Sequence, residues 1–125
     1  MEKNISLNKD RHDAAWYFNN PDYGDNCAQA IVRHYGKTQE EIEQMATMGV
    51  GNAPNGYCGA LYGALYILKN NPEAQQKVIE AFVQQTGSPR CREIKRHSKI
   101  PCRKCVQIAD NALKNLIKPT HPHEH

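Results

Sequence analysis

The spacing of apolar residues along the chain predicts helices throughout. Apolar positions recur every three or four residues, period-2 alternation is absent, and β-branched residues are sparse. Stretches rich in Gly, Pro and Asn separate the apolar segments. The predicted segments are about 10–18, one from Asp25 or Asn26 to His34 or Tyr35, one capped by Thr38, about 58–68, 73–85, a short stretch 91–97, and 102–117. The pattern therefore predicts an all-α fold, a small irregular bundle of about five to six helices with converging cysteines.

Two segments carry particularly clear signals. Thr38 followed by Glu41 matches the capping box that starts a helix. The segment 58–68 is apolar nearly all round, which predicts a central buried helix. Residues expected to contact the core from the other helices include Ile42, Met45, Ala46, Val78, Ile79, Phe82, Val83, Val106, Ala109, Leu113 and Leu116.

Length and composition limit the class of protein. A chain of 125 residues fits one domain, so we expect a helical, cysteine-rich domain over 1–118 and a disordered, histidine-rich tail over 119–125. Mean hydropathy is −0.77 and no apolar run approaches the roughly 20 residues of a membrane span. The polar start has no secretory signal, so the expected compartment is the cytoplasm.

Basic residues cluster in one part of the chain. Although the net charge is only +3, seven Lys and Arg lie between Arg90 and Lys104, against one acid, Glu93. A solvated face is the first interpretation, electrostatic support of nearby cysteines the second, and nucleic-acid binding the third. The segment has no aromatic side chain on which bases would stack, so a nucleic-acid partner is not expected.

The chain has five cysteines, and in a reducing compartment they indicate metal or redox chemistry rather than disulfides. Cys58 follows a glycine-rich loop and begins a helix, where free N–H groups favour a thiolate. Small residues recur after it, at Gly59 and Gly63 and at Ala60 and Ala64, giving a face that another backbone or a cofactor can approach closely. An inert cysteine at a helix crossing is the alternative.

Two further cysteines form a Cys102-x-x-Cys105 motif at a helix start, which is typical of a metal clamp or a redox pair. Thioredoxin-like use is not expected because no βαβ pattern surrounds the motif. Cys91 and His97 lie just upstream, so a tetrahedral zinc site on Cys91, His97, Cys102 and Cys105 is an alternative. Cys27 taken alone resembles a small buried apolar residue.

The order of these features resembles the family of redox-active proteins named C_GCAxxG_C_C for its cysteine pattern. The resemblance covers about residues 16–116. The matching pieces are Asn26-Cys27, the run Tyr57-Cys58-Gly59-Ala60-Leu61-Tyr62-Gly63-Ala64, the segment Thr86–Glu93 with Cys91, and the cysteines that open the last helix. Tyr57 stands where the family name has a glycine, and Gly56 lies one place earlier.

The resemblance implies a small, mostly bacterial, all-helical domain whose cysteines act together. The family also occurs fused to redox modules, where it resembles an iron–sulfur-binding unit. Cys27, Cys58 and Cys91 match the first three family positions, and either Cys102 or Cys105 matches the fourth.

Three functions follow as hypotheses. The first is electron transfer or redox sensing through an iron–sulfur cluster held by cysteines of this set. The second is metal-free thiol–disulfide chemistry with Cys58 as the attacking thiolate, and the third is a structural zinc module. The expected partner is a redox protein, a homodimer is compatible with the sequence, and no membrane is expected. Whether a substrate is turned over is not decided by the sequence.

Overall fold

Six α-helices and several single turns make up the computed structural model, which describes residues 13–49 and 53–116. Within these ranges there is no β-strand, so the all-α prediction is confirmed. The helices are α1 (Cys27–His34), α2 (Gln39–Gln44), α3 (Gly59–Ile67), α4 (Pro72–Thr86), α5 (Cys91–Glu93) and α6 (Cys102–Lys114), with 3-10 turns at Ala14–Tyr17, Met45–Thr47 and Pro54–Gly56 and a π turn at Ile94–Ser98.

Side-chain caps fix the starts of α1 and α2. At α1, Asn26 accepts a hydrogen bond from the Gln29 backbone, and the Gln29 side chain accepts one from the Asn26 backbone. The predicted capping box of Thr38 and Glu41 is confirmed at α2. Each cap satisfies N–H groups that the first turn leaves unpaired.

The predicted helices differ from the structure mainly at the first segment and in the stretch before α6. The first predicted segment is a single 3-10 turn, because the chain turns away through Asn19, which has a φ of +54°. After α5 the chain widens into the π turn and ends at Lys99, whose φ of +58° stops the helix. Residues 10–12, Ile117 and the predicted tail over 119–125 lie outside the described residues.

Helix α3 lies at the centre and packs against α1, α4 and α6. Leu61 and Phe82 are fully buried there, as predicted. A Cβ at Gly63 would lie 3.0 Å from the Ala28 carbonyl oxygen, so glycine permits the close crossing of α1 and α3. Ala46 and Leu116 were expected to contact the core and are exposed, because each lies beyond the last full turn of its helix.

A buried carboxylate ties three elements together. Asp110 on α6 accepts hydrogen bonds from the Ala14 backbone at 2.9 Å and from the Tyr35 hydroxyl at 2.6 Å. The Nε2 atom of His34 lies 3.9 Å from the same carboxylate. These contacts join the first 3-10 turn and the C-terminal end of α1 to the C-terminal half of α6. They therefore hold together the two helices that carry Cys27 and Cys105.

None of the helices in the described ranges is long and apolar enough to cross a membrane.

Candidate functional site: a cavity lined by cysteines

All five cysteines line one small cavity. Its walls are Cys27, Cys58, Cys91, Ile94, Lys95, Ile100, Cys102 and Cys105. Four of the cysteines are buried, and Cys102 is half-buried at the edge. None of the five forms a disulfide. The fold thus confirms that the cysteines converge, although they come from four separate segments of the chain.

The helix starts explain how four segments deliver sulfur to the same point. Cys27, Cys91 and Cys102 are the first residues of α1, α5 and α6, and Cys58 is the N-cap of α3. Cys105 lies one turn further along α6. Since each of the four residues lines the cavity, the N-termini of three helices, α1, α3 and α6, and the start of the short α5 meet there. The partial positive charge of the three helix N-termini, and the first-turn N–H groups that no cap satisfies, favour anions.

A short backbone pairing joins two of these starts. The Cys58 N–H donates to the Pro89 carbonyl oxygen at 2.8 Å, and Tyr57 pairs with Arg90 in an isolated antiparallel bridge. The residues immediately before α3 and before α5 are therefore held side by side. This pairing fixes Cys58 relative to Cys91, although 32 positions separate them in the sequence.

Hydroxyl side chains hold the residues on either side of Cys91 in place. The sequence analysis did not predict this role for them. Thr86 Oγ1 lies 2.9 Å from the Phe82 carbonyl oxygen and 2.8 Å from the Ser88 carbonyl oxygen, and these two acceptors share its single proton. Ser88 Oγ donates to the Glu93 carboxylate at 2.5 Å, and Ser98 Oγ donates to the Thr86 carbonyl oxygen at 2.5 Å. The hydroxyl residues around Gly87 and the acid five positions after Ser88 were the available sequence signal.

The inner cysteines lie against one another and interact through their thiols. The Cys58 thiol contacts Cys105 and Cys27, and the contact with Cys105, together with burial, raises the pKa of Cys58 to about 12. The same contact lowers the pKa of Cys105. Burial raises the pKa of Cys91. Within the metal-free cluster, Cys105 therefore loses its proton before Cys58.

This order of proton loss does not favour Cys58 as the attacking thiolate. An attacking thiolate needs a lowered pKa and access to solvent. Cys58 has a raised pKa and is buried, so its environment runs opposite to that requirement.

The edge of the cavity has a cation in contact with sulfur. The Lys95 Nζ donates to the Cys102 Sγ at 2.9 Å, and this contact raises the pKa of Lys95, so its ammonium stays charged. Lys95 and Arg92 also exert their positive charge on Cys91. These contacts are the ones expected if the basic segment supports the cysteines electrostatically, which is the second interpretation of that segment.

The thiols match an iron–sulfur cluster in type and number, and the helix N-termini and Lys95 match its negative charge. The open space between the cysteines is small, about 10 Å³, so the sulfurs must move apart around a cluster.

The zinc alternative places one ion on Cys91, His97, Cys102 and Cys105. In the two described ranges, no three His, Cys, Asp or Glu side chains stand close enough to hold one ion. His97 is exposed and does not line the cavity. The set Cys91, His97, Cys102 and Cys105 is therefore not brought together by this fold.

An all-α fold that gathers buried cysteines at helix starts defines the class: a small helical protein with a cysteine cluster. The family model described as "Putative redox-active protein (C_GCAxxG_C_C)" matches residues 25–117. The chain belongs to this family. No curated protein and no solved structure gives a significant match.

Proposed function

We propose that this redox-active protein holds an iron–sulfur cluster on its four buried cysteines, Cys27, Cys58, Cys91 and Cys105. One observation carries the proposal: the N-termini of three helices, α1, α3 and α6, and the start of the short α5 meet at a cavity lined by all five cysteines. A cluster with four thiolate ligands is an anion in a buried site, and such a site must supply compensating positive charge. When bound, the cluster would supply one-electron transfer.

The protein's own residues have distinct parts in this proposal. The four buried cysteines would be the ligands, and the helix N-termini would offset their charge. Ile94 and Ile100 form apolar walls that limit water, which affects the potential of such a centre. Lys95 lies at the edge and adds a positive charge. Cys102 is left as the fifth cysteine, beside the set.

The choice of Cys105 over Cys102 rests on burial and contacts. Cys105 is 3% exposed and touches Cys58, whereas Cys102 is half-buried and bonded to Lys95. A ligand in the interior is shielded from solvent and from competing partners, and Cys102 is not shielded in this way.

The test is to purify the protein without oxygen and to assay iron and acid-labile sulfide. We expect about four iron and four sulfide for a cubane cluster, or about two of each for the smaller one. Cys105→Ser should lose most of the iron, and Cys102→Ser should keep it, with both folds checked by circular dichroism. A wild-type protein that contains neither iron nor sulfide contradicts the proposal. The reverse behaviour of the two variants contradicts the choice of ligand.

Metal-free thiol chemistry is the second candidate, favoured by the contacts of the Cys58 thiol with Cys27 and Cys105. Two thiols of the cluster would form a disulfide while a substrate disulfide is reduced to two thiols, so electrons and protons balance. Cys102, which is partly exposed beside Lys95, is the better placed nucleophile. Iron-free protein in which mass spectrometry finds a reversible disulfide between cluster cysteines would support this candidate over the first.

A further inference from the structure

Exposed cations lie on the segment of chain that supplies one side of the cysteine cavity. We call Arg92, Arg96 and Lys99 the basic rim; all three are exposed. Each is the sequence neighbour of a cavity-lining residue. Those neighbours are Cys91, Lys95 and Ile100, respectively. The rim therefore belongs to the segment 91–100, which also contributes Cys91, Ile94, Lys95 and Ile100 to the cavity wall.

The rim cations form no ion pair within the described part of the fold. Among the residues that the structure covers, no carboxylate lies within 4.0 Å of Arg92, Arg96 or Lys99. Arg90 and Arg103 belong to the same basic segment but do have partners within the fold. Arg103 donates to the carbonyl oxygens of Ala15 and Phe18, and Arg90 donates to that of Asn55 and pairs with Glu93. Those two arginines are structural, whereas the rim faces solvent.

The charge of the whole chain is strongly divided. The segment 90–104 contains seven of the 16 Lys and Arg but only one of the 13 Asp and Glu, so it carries +6. Because the total is +3, the remainder of the chain carries −3. A concentrated positive field at the mouth of a site raises the local concentration of anions and speeds their association.

We propose that the basic rim is the docking surface for an acidic redox protein, one that presents Asp and Glu around its own redox centre. This inference rests on the proposed redox function. One electron would leave the reduced centre of the partner and reduce the oxidised iron–sulfur cluster that the four buried cysteines would hold, with no covalent bond formed or broken. Nucleic acid is disfavoured because residues 90–104 include no aromatic side chain for stacking.

The first arm of the test measures binding of a fluorescent oligoglutamate peptide by anisotropy, using the full chain purified without oxygen. The rim variant Arg92→Gln/Arg96→Gln/Lys99→Gln is compared with the control Lys37→Gln/Lys69→Gln/Lys77→Gln, which removes the same charge elsewhere. We expect the wild type and the control to bind at low salt, and the rim variant to bind at least about tenfold more weakly.

The second arm measures the rate at which the reduced protein is oxidised by ferricyanide, an anion, and by hexaamminecobalt(III), a cation. The ferricyanide rate should fall as salt is added, because salt screens the attraction, and the cobalt rate should rise. The rim variant should lose most of both dependences, and the control should keep them.

Equal peptide binding by the rim and control variants would overturn the inference. A labelled DNA duplex that binds more tightly than the peptide at about 0.15 M salt would also overturn it. So would self-association of the chain through the rim that prevents the peptide from binding. Iron and sulfide contents of the rim variant are measured in parallel. The peptide arm decides the docking surface even if the wild type contains no iron, so the two proposals fail separately.

Discussion

The Sγ atom of Cys27 occupies the space that a side chain at Gly59 would need: a Cβ there would lie only 2.5 Å from the sulfur. The same Cβ would lie 2.7 Å from the Met48 carbonyl oxygen. Glycine directly after Cys58 therefore lets the start of α1 approach the start of α3 until the two cysteines touch. Gly59 has no chemistry of its own, yet the site depends on it.

Gly59→Ala should push the Cys27 sulfur out of the cluster. Overpacking of this kind typically costs about 1–3 kcal/mol, because neither the backbone of Met48 nor the helix start can move freely. We expect a lower free energy of unfolding together with loss of most of the bound iron. Urea titration and iron assay of the same preparation measure the two effects.

Gly63→Ala is the matched control, since it lies on the same helix and also meets close neighbours. Its Cβ would lie 3.0 Å from the Ala28 carbonyl oxygen and 3.1 Å from the Ile31 Cβ, but near no sulfur. It should destabilise the helix crossing and leave the iron content of the folded protein unchanged. Equal iron loss in both variants would show that stability, and not the position of Cys27, controls the site.

Lys95→Gln should slow the alkylation of Cys102 in metal-free, reduced protein. A cation close to a sulfur raises the reactivity of that sulfur toward alkylating agents, and the Lys95 Nζ donates to the Cys102 Sγ at 2.9 Å. Lys95 is exposed, and an exposed ion pair contributes about 0.2–1 kcal/mol, so the effect should be at most about fivefold. The rate is measured with iodoacetamide, and the modified residue is identified by mass spectrometry.

Arg96→Gln is the control for this measurement because it removes one charge from the next residue, which has no contact with a sulfur in the described structure. Its Cys102 alkylation rate should match that of the wild type. Lys95→Arg should restore part of the rate by keeping a cation at the edge. If both glutamine variants slow the reaction equally, the general field and not the Lys95 contact is responsible.

Tyr35→Phe should destabilise the fold through the buried carboxylate of Asp110. The Tyr35 hydroxyl donates to that carboxylate at 2.6 Å, and a hydrogen bond to a charged group in the interior contributes about 1.5–3 kcal/mol. Urea unfolding should show a loss within this range. Tyr66→Phe removes a similar bond to Glu41 at a more exposed position, so its loss should stay within about 0.5 kcal/mol.

Stability should fall at alkaline pH because of buried phenols. Burial raises the pKa of Tyr17 to about 12, and burial with the Asp110 contact raises that of Tyr35 further. A raised pKa gives stability that is fully present below the unfolded value, near 10, and is lost as pH rises toward the folded value. In Tyr17→Phe the loss between about pH 10 and 12 should be smaller than in the wild type. Parallel urea titrations would contradict this if the two slopes with pH were the same.

Local signals in the sequence predicted most of the helices. Capping residues such as Thr38, and glycines such as Gly36 and Gly87, act over one or two turns, so their effects can be predicted without tertiary contacts. The single turn at Ala14–Tyr17 and the exposure of Leu116 were not predicted correctly. Both depend on how far each segment packs against the rest of the fold, and local pattern does not contain that information.

The candidate site divides in the same way. The residue types, their order and their positions at helix starts are properties of the sequence, and they indicated a shared cysteine site. Only the tertiary structure distinguished Cys105 from Cys102. The two cysteines are three residues apart on one helix, and packing places the Cys105 sulfur inside and the Cys102 sulfur at the edge beside Lys95. It also decided the role of Gly59 and the exclusion of His97 from the cavity. Those outcomes depend on distances between segments far apart in the chain, which packing sets and local sequence does not.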